Sequence, residues 1–308
     1  MNPRAMRMPK MLYGTAWKGE KTSDDVYLAL KSGFRGIDTA AQPRHYKEAL
    51  VGAGVKKAMR EGIVKRGDIW IQTKFTPITS QDLNDEIPYD PLAPLVEQIH
   101  ASIASSLRNF NCVDSQEPYI DCLILHVPLS TFEDTITVWK TLEMYVPHTI
   151  RTLGISNSPL RYVHYLCTLP EITIRPICVQ NRFYAGNCWE RDLRAYLRPL
   201  GIMFQAFWVL PGNPRYREFA PLQRLAGFAS VEMPIALYSL VLGLNGVAVL
   251  DGTTDEAHMK EDIEGIKAVE EWKQSVPGRV IWEDCLHDFK AYIGEIEGNE
   301  SEASLRLR

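Results

Sequence analysis

The sequence predicts an α/β protein, a single-domain (β/α)8 TIM barrel, on three observations. Eight short continuous apolar runs recur along the 308-residue chain, each followed by helical patterning, as strands buried on both faces require. Four runs end in polar residues that a parallel barrel would gather at one rim: Gly36-Ile37-Asp38, Gln72-Thr73-Lys74, Leu123-Ile124-Leu125-His126 and Gly154-Ile155-Ser156-Asn157. The first strand–helix turn, Gly14-Thr15-Ala16-Trp17, lacks the G-x-G-x-x-G loop that an open, doubly wound nucleotide-binding sheet carries there.

Taken in order, residues 10–15 form the first strand. Thr22, with Asp25 three positions on, has the capping-box pattern of a helix start, and Val26, Leu28, Ala29 and Leu30 give that helix an apolar side. Gly33 ends it, residues 34–40 are the second strand, 48–60 a helix and 68–75 the third strand. A polar, proline-bearing loop over 76–91 precedes a helix at 94–110 and the fourth strand at 119–126. Val138, Leu142 and Tyr145 share one face of a helix over 132–145. The fifth strand covers 151–157, and Pro159 suits the first turn of a short helix. The sixth strand is 176–183; a helix over 190–197 stops before Pro199, and the seventh strand is 202–210. An irregular insertion follows from Pro211, then a helix at 234–242, the eighth strand at 246–253, a helix at 256–275 and an appended helix at 282–293. Residues 1–293 are expected to form the domain and the polar residues 294–308 a disordered tail.

Composition narrows the function classes. With 45% hydrophobic and 23% charged residues the chain has ordinary globular material for a core. A formal net charge of −4 leaves no basic footprint, which argues against nucleic acid as a partner. Cys112, Cys122, Cys167, Cys178, Cys188 and Cys285 form no CxxC pair and read as small buried hydrophobes in a reducing compartment. His100, His148, His164 and His287 lack metal-ligand spacing, so no metal is expected. The first ten residues lack the apolar core of a secretory signal. The apolar run 233–250 is interrupted by Ser239, Gly243, Asn245 and Gly246 and reads as a helix followed by a strand in the core, not a membrane span. The expectation is a soluble cytoplasmic protein, a monomer or weak oligomer, without a membrane partner.

Singly, Asp38 could cap a loop, Lys74 could snorkel to solvent and His126 could be a core histidine. On successive strands they suggest one charge network. A buried aspartate–lysine pair beside a phenol stabilises the phenolate and lowers the phenol's pKa from about 10. Such a phenol donates a proton to a carbonyl oxygen while a histidine orients that oxygen through a hydrogen bond. The tyrosine nearest Asp38 in sequence is Tyr46.

The motifs GTAW, GFRGIDTA, QTKF, DCLILH, LGISN, VQNRFY and GTTDEAHMKED, in this order, make residues 10–293 resemble the aldo-keto reductases. The resemblance implies a (β/α)8 barrel binding NADPH at its C-terminal rim and reducing an aldehyde or ketone to an alcohol. It makes Asp38, Tyr46, Lys74 and His126 the catalytic set. It assigns Ser156, Asn157 and Gln180 to the nicotinamide carboxamide, Phe207 to stacking on the ring, and Gly14, Thr15 and Ala16 to the loop beside it. Asp38, Trp208, Leu210, Gly252, Thr253, Thr254, His258 and Asp262 complete the implied cofactor set.

Three departures from the family pattern bear on function. The tyrosine usually follows the aspartate by five positions, but position 43 is Pro43 and Tyr46 comes three residues later than that pattern; counting back from Val51-Gly52 puts His45 in its place. Tyr46 is the expected donor because a flexed loop can present its phenol, and His45 remains the alternative. After strand eight the lysine and arginine that would grip a 2′-phosphate are replaced by Gly252-Thr253-Thr254-Asp255 and His258. Hydroxyls and helix N-terminal N–H groups can still hold phosphate, so NADPH is expected, with NADH or dual use open. The third departure is the insertion over 211–229. Trp17, His45, Phe75, Pro128, Trp208 and Tyr184 are expected in an apolar pocket wall suited to a hydrophobic or aromatic carbonyl compound. Two other readings stay open: a cofactor-binding sensor with little turnover, and a non-redox dehydratase or isomerase.

Overall fold

The computed structural model describes residues 8–113 and 117–295. Residues 296–308, most of the expected tail, lie outside the described residues, as do residues 1–7. Strands β1 (Met11–Gly14), β2 (Gly36–Asp38), β3 (Trp70–Phe75), β4 (Ile120–Leu125), β5 (Ile150–Ser156), β6 (Cys178–Arg182), β7 (Met203–Phe207) and β8 (Val247–Asp251) close in that order into a barrel. Neighbouring strands pair in parallel from β1 to β6 and from β7 to β8, with Asp38 beside Gln72 and Lys74 beside Ile124. The strands are short and almost wholly buried because helices cover their outer faces and side chains fill the interior.

Contacts group the chain into two compact units, one ending at Gln180 and one starting at Asn181. The first carries helices α1 (Thr22–Lys31), α2 (Glu48–Arg60), α3 (Leu95–Asn109), α4 (Phe132–Glu143) and α5 (Leu160–Thr168). Close helix packing explains the Val51-Gly52 landmark: a Cβ on Gly52 would lie 2.0 Å from the backbone oxygen of Asn109, so only glycine lets α2 run this close to the end of α3. Glu48, the first residue of α2, is buried and accepts hydrogen bonds from Thr73, Ser106 and Asn109, which ties α2 to β3 and α3. At the opposite, N-terminal ends of the strands, Arg66 and Asp121 form a buried ion pair at 2.8 Å. Arg66 also donates to the carbonyls of Ile69 and Tyr119, and Asp121 accepts from Ile71 N–H and from Arg151. This pair is therefore satisfied on all sides, as a buried charge must be.

The second unit carries α6 (Arg191–Leu197), α7 (Ala220–Ala229), α8 (Met233–Leu242), α9 (Glu256–Trp272) and α10 (Val276–Tyr292). The run 233–250 divides into α8 and β8 as expected, and α8 is buried from Ile235 to Leu242. Among the described residues no single helix is long and apolar enough to cross a membrane; α7 and α8 together would be, but they bend by 104°.

Five local expectations are corrected. The insertion is not wholly irregular: Leu222, Leu225 and Ala226 bury one face of α7, a spacing that flanking proline and glycine obscure. Thr22 does not cap its helix. It lies inside α1 and its hydroxyl donates to Gly19 O at 2.7 Å, because a short 3₁₀ turn over Gly19–Lys21 already leads into the helix. Pro159 is the N-cap of α5, not a residue of its first turn. The last helix starts six residues earlier than expected, at Val276, where Ser275 Oγ accepts from Gly278 N–H. Cys188 is exposed, not buried, whereas Cys122 and Cys178 are buried side by side as free thiols.

Candidate active site

β2 and β3 bring the first pair together because Asp38 is the register partner of Gln72, two residues before Lys74. Lys74 Nζ donates to Asp38 Oδ2 at 2.7 Å and to Thr39 O at 2.8 Å, with both side chains almost fully buried. The other carboxylate oxygen, Asp38 Oδ1, accepts from Gln72 Nε2 at 2.6 Å and from Gln180 Nε2 at 2.8 Å. Four polar side chains from β2, β3 and β6 thus meet at one carboxylate. Thr15, expected near the cofactor, is buried and fixes the backbone here: its N–H and hydroxyl both donate to Asp38 O.

The loop after β2 absorbs its extra length in one turn. The N–H groups of His45 and Tyr46 both donate to Gln42 O, at 3.1 and 3.0 Å. That turn returns the Tyr46 ring over Lys74, with Nζ 5.1 Å from its centroid, and edge-on to His126, centroids 6.1 Å apart. His45 makes different contacts. Its ring lies on Trp17 with centroids 3.9 Å apart, and its Nδ1 is 2.9 Å from Gln42 Oε1. Gln42 Nε2 donates to Ser80 O and Gln81 Nε2 to Ala41 O, which anchors the turn to the loop after β3.

His126, just past β4, has Nδ1 2.7 Å from Thr76 Oγ1, and the Tyr89 hydroxyl donates to Thr76 O at 2.6 Å. Asn157 Nδ2 donates to His126 O at 3.0 Å and to Ser156 Oγ at 3.1 Å, while the Ser156 hydroxyl donates to Gln180 O at 2.7 Å. Asn157 has φ of 49° and Trp17 φ of 64°, a left-handed conformation that costs energy in residues with a Cβ and clusters at functional sites.

The titration behaviour reverses one expectation. Burial pushes the Tyr46 phenol up from its ordinary value; Lys74 pulls it down, and Asp38 pushes it up again. Desolvation of the phenolate outweighs the ammonium, so the net direction is upward, not downward. Burial alone would lower Lys74, but the Asp38 charge and Tyr46 raise it overall. His126 is held well below the ordinary histidine value by burial and then by Lys74 and His45, so its ring is neutral.

One further expectation fails in this unit. Phe75 is 0% exposed and packs on Tyr89 with ring centroids 6.0 Å apart, so it fills the barrel end and does not line a pocket. Gly14 and Ala16 are half-buried in the turn after β1, and Pro128 is half-buried in the loop after β4. Trp17 is 74% exposed.

In the second unit the tip of β7 carries a half-buried Phe207 and then Trp208, 44% exposed with φ of 62°. Tyr184 meets Trp208 edge-on at 5.5 Å, and the Arg182 guanidinium lies over both Phe207 and Trp208. Leu210 is half-buried two residues on. The insertion closes with α10 around an apolar cavity of about 170 Å³ lined by Trp189, Tyr216, Phe219, Phe289 and Tyr292.

After β8, Gly252, Thr254 and His258 are exposed and Thr253 is half-buried. Thr253 N–H donates to Asp251 Oδ1, and Asp255 Oδ1 accepts from the N–H groups of Ala257 and His258. The carboxylate of Asp255 therefore occupies N-terminal donors of α9 that a phosphate would use. Asp262, expected to contact cofactor, is buried beside Asp251, and burial first, then the Asp251 charge, push its pKa up to about 8. Asp251 Oδ2 is buried without an ordinary donor, so a protonated Asp262 is the group that can satisfy it.

The sequence reading missed Gln72, Thr76 and Tyr89. Gln72 could have been found as a polar residue two positions before Lys74, hence on the same face of β3; Thr76 continues that alternation past the strand end. Tyr89, in an irregular loop, left no local signal.

A family model described as the Aldo/keto reductase family matches residues 10–215. The NAD(P)H-dependent D-xylose reductase of Scheffersomyces stipitis is 29% identical over 200 residues, covering 56% of this chain and 55% of that protein. Glyoxal reductase of Bacillus subtilis is 29% identical over 191 residues, covering 61% and 58%. The chain thus matches little more than half the length of these two relatives. A solved aldo-keto reductase from a Medee basin deep-sea metagenome library superposes with a TM-score of 0.67 at 18% identity, covering 86% of this chain and 92% of that one, a likeness of fold.

Proposed function

Because the chain belongs to the aldo/keto reductase family, we propose that it is an NAD(P)H-dependent oxidoreductase that reduces an aldehyde or ketone to the alcohol, with Tyr46 as proton donor. The observation that carries this reading is the Tyr46 ring standing 5.1 Å from Lys74 Nζ and 6.1 Å from the His126 ring, above the Lys74–Asp38 ion pair.

A bound reduced nicotinamide supplies the hydride to the carbonyl carbon. Tyr46 gives its phenolic proton to the carbonyl oxygen, and the Lys74 ammonium stabilises the phenolate left behind. In the reaction the neutral His126 ring accepts from the Thr76 hydroxyl at Nδ1, 2.7 Å away, and directs an Nε2 proton to the same oxygen. Asp38 holds Lys74 charged. The amides of Asn157 and Gln180 offer both donors and acceptors, as a carboxamide requires, with Ser156 beside them.

The 2′-phosphate end fits less well. Residues 252–255 contain no cation, and the Asp255 carboxylate occupies N-terminal N–H groups of α9. These observations support use of NADH alongside NADPH. The exposed indole of Trp17 supports a hydrophobic or aromatic carbonyl substrate.

The test is oxidation of NADH and NADPH, followed by absorbance, with a panel of aromatic aldehydes and ketones. Turnover by the wild type, its loss in Tyr46→Phe and its survival in His45→Ala are expected. Survival in Tyr46→Phe with loss in His45→Ala would give the donor role to His45, and a NADPH preference above about a hundredfold would overturn the cofactor reading.

A further inference from the structure

Gln72 has no part in the chemistry described so far, yet it is fully buried among the groups that perform it. Trp70, Gln72 and Lys74 alternate along β3 and so share one face. Trp70 Nε1 donates to Gln72 Oε1 at 3.1 Å, and Gln72 Nε2 donates to Asp38 Oδ1 at 2.6 Å. This chain has only one consistent orientation. An indole N–H can only donate and an ionised carboxylate can only accept, so the amide between them must turn its oxygen to Trp70 and its nitrogen to Asp38. Three donors then surround the carboxylate: Gln72 and Gln180 at Oδ1, Lys74 at Oδ2.

We propose that Gln72, oriented by Trp70, is a positioning residue that aims the Asp38 carboxylate at Lys74 and keeps its second oxygen satisfied when Gln180 turns to the cofactor. The proposal rests on the reductase reading above, in which the Gln180 amide also serves the nicotinamide carboxamide. The Gln180 amide has two N–H donors, but re-aiming it at a ligand bends or lengthens the bond that Asp38 accepts from it. Gln72 removes that conflict, because Asp38 Oδ1 retains a donor in either state. Its second effect is on the phenol. The amide N–H dipole lowers the negative potential of Asp38 at Tyr46 and fixes Lys74 beneath the ring. Losing it disfavours the phenolate in both ways.

Gln72→Met keeps length and buried volume but has no donor, and Trp70→Phe leaves Gln72 in place while removing the group that orients it. Calorimetric titration of each purified full-length variant with NADH, and separately with NADPH, should show affinity reduced about tenfold in Gln72→Met and less in Trp70→Phe. The pH profile of kcat/KM for reduction should move its basic limb upward in the same order, a shift that loss of packing alone would not produce. Wild-type-like affinity and an unshifted limb in both variants would overturn the proposal, as would a downward shift. If Gln72→Met does not fold, Trp70→Phe decides by the same two readouts. A wild type that binds neither nucleotide would sink the reductase reading itself; nucleotide binding that is indifferent to both substitutions sinks only the role of Gln72.

Discussion

Replacing Lys74 with methionine isolates what its ammonium does for Tyr46. The ammonium is buried and lies 5.1 Å from the ring centroid of the half-buried phenol. A unit charge at about 5 Å and an effective dielectric near 20 is worth about 3 kcal/mol, or roughly two pKa units, at the phenolate. Asp38 stays in Lys74→Met with its charge uncompensated, so the Tyr46 pKa should rise by at least that amount above its already raised value. With a Brønsted coefficient near one half, a weakening of the acid by about two units slows proton transfer about tenfold. Because enzyme changes cannot alter the reaction equilibrium, carbonyl reduction and alcohol oxidation should lose kcat/KM equally at a given neutral pH. The basic limb of reduction should move upward, and alcohol oxidation should keep rising to higher pH than in the wild type. The assay is kcat/KM in both directions from neutral pH to the highest pH the fold tolerates. In Asp38→Asn/Lys74→Met the carboxylate's opposing effect is gone, so the limb should return part of the way. A limb that stays in place or moves down in Lys74→Met would refute the electrostatic role, whatever the loss in rate.

Two other predictions concern stability. Asp121→Asn leaves Arg66 buried without its counter-charge at the base of the barrel, and unfolding in denaturant should show a loss of about 3–5 kcal/mol; a loss below about 1 kcal/mol would mean that the guanidinium is satisfied by the carbonyls of Ile69 and Tyr119 alone. Asp262 has a folded pKa of about 8 against an ordinary 3.8, so between those values the folded chain holds a proton that the unfolded chain releases, and its presence weakens folding increasingly as pH rises to about 8 and by a constant amount above. Asp262→Asn supplies a permanent donor to Asp251 Oδ2, so thermal unfolding should shift upward by a margin that grows with pH and levels off near about pH 8. A gain that shrinks toward pH 8 would contradict the shared proton.

The barrel and its rim were legible in the sequence because the signals are local. An apolar run and the polar residue that ends it are contiguous, so Asp38, Lys74 and His126 could be ranked by strand without any knowledge of pairing. Tyr46 and His45 could not be separated that way: two counts along one loop disagree, and it is a turn closing on Gln42 O that sets the Tyr46 ring over Lys74. The direction of the Tyr46 shift was misjudged because the ammonium can be read from a motif whereas the depth of burial cannot. Asp262 shows the same limit, since an acidic residue in a surface-looking helix pattern proved to be the buried partner of another acid.

Gln72 and Thr76 were missed for a different reason. Neither is charged, and each stands behind a candidate residue, Asp38 or His126, to which it hydrogen-bonds. Yet the cost of leaving a buried carboxylate or imidazole unpaired is comparable to that of a lost contact elsewhere in the site, so each polar tip implies a polar partner on its own strand or the neighbouring one. Gln72 two positions before Lys74, and Thr76 two after it, satisfy that requirement for Asp38 and His126. A barrel strand with polar residues at alternating positions through its length, as in Trp70-Ile71-Gln72-Thr73-Lys74, therefore signals more than a site at its tip. It signals that the site's charges are oriented from below, and that the strand interior is where their balance can be changed without touching the substrate.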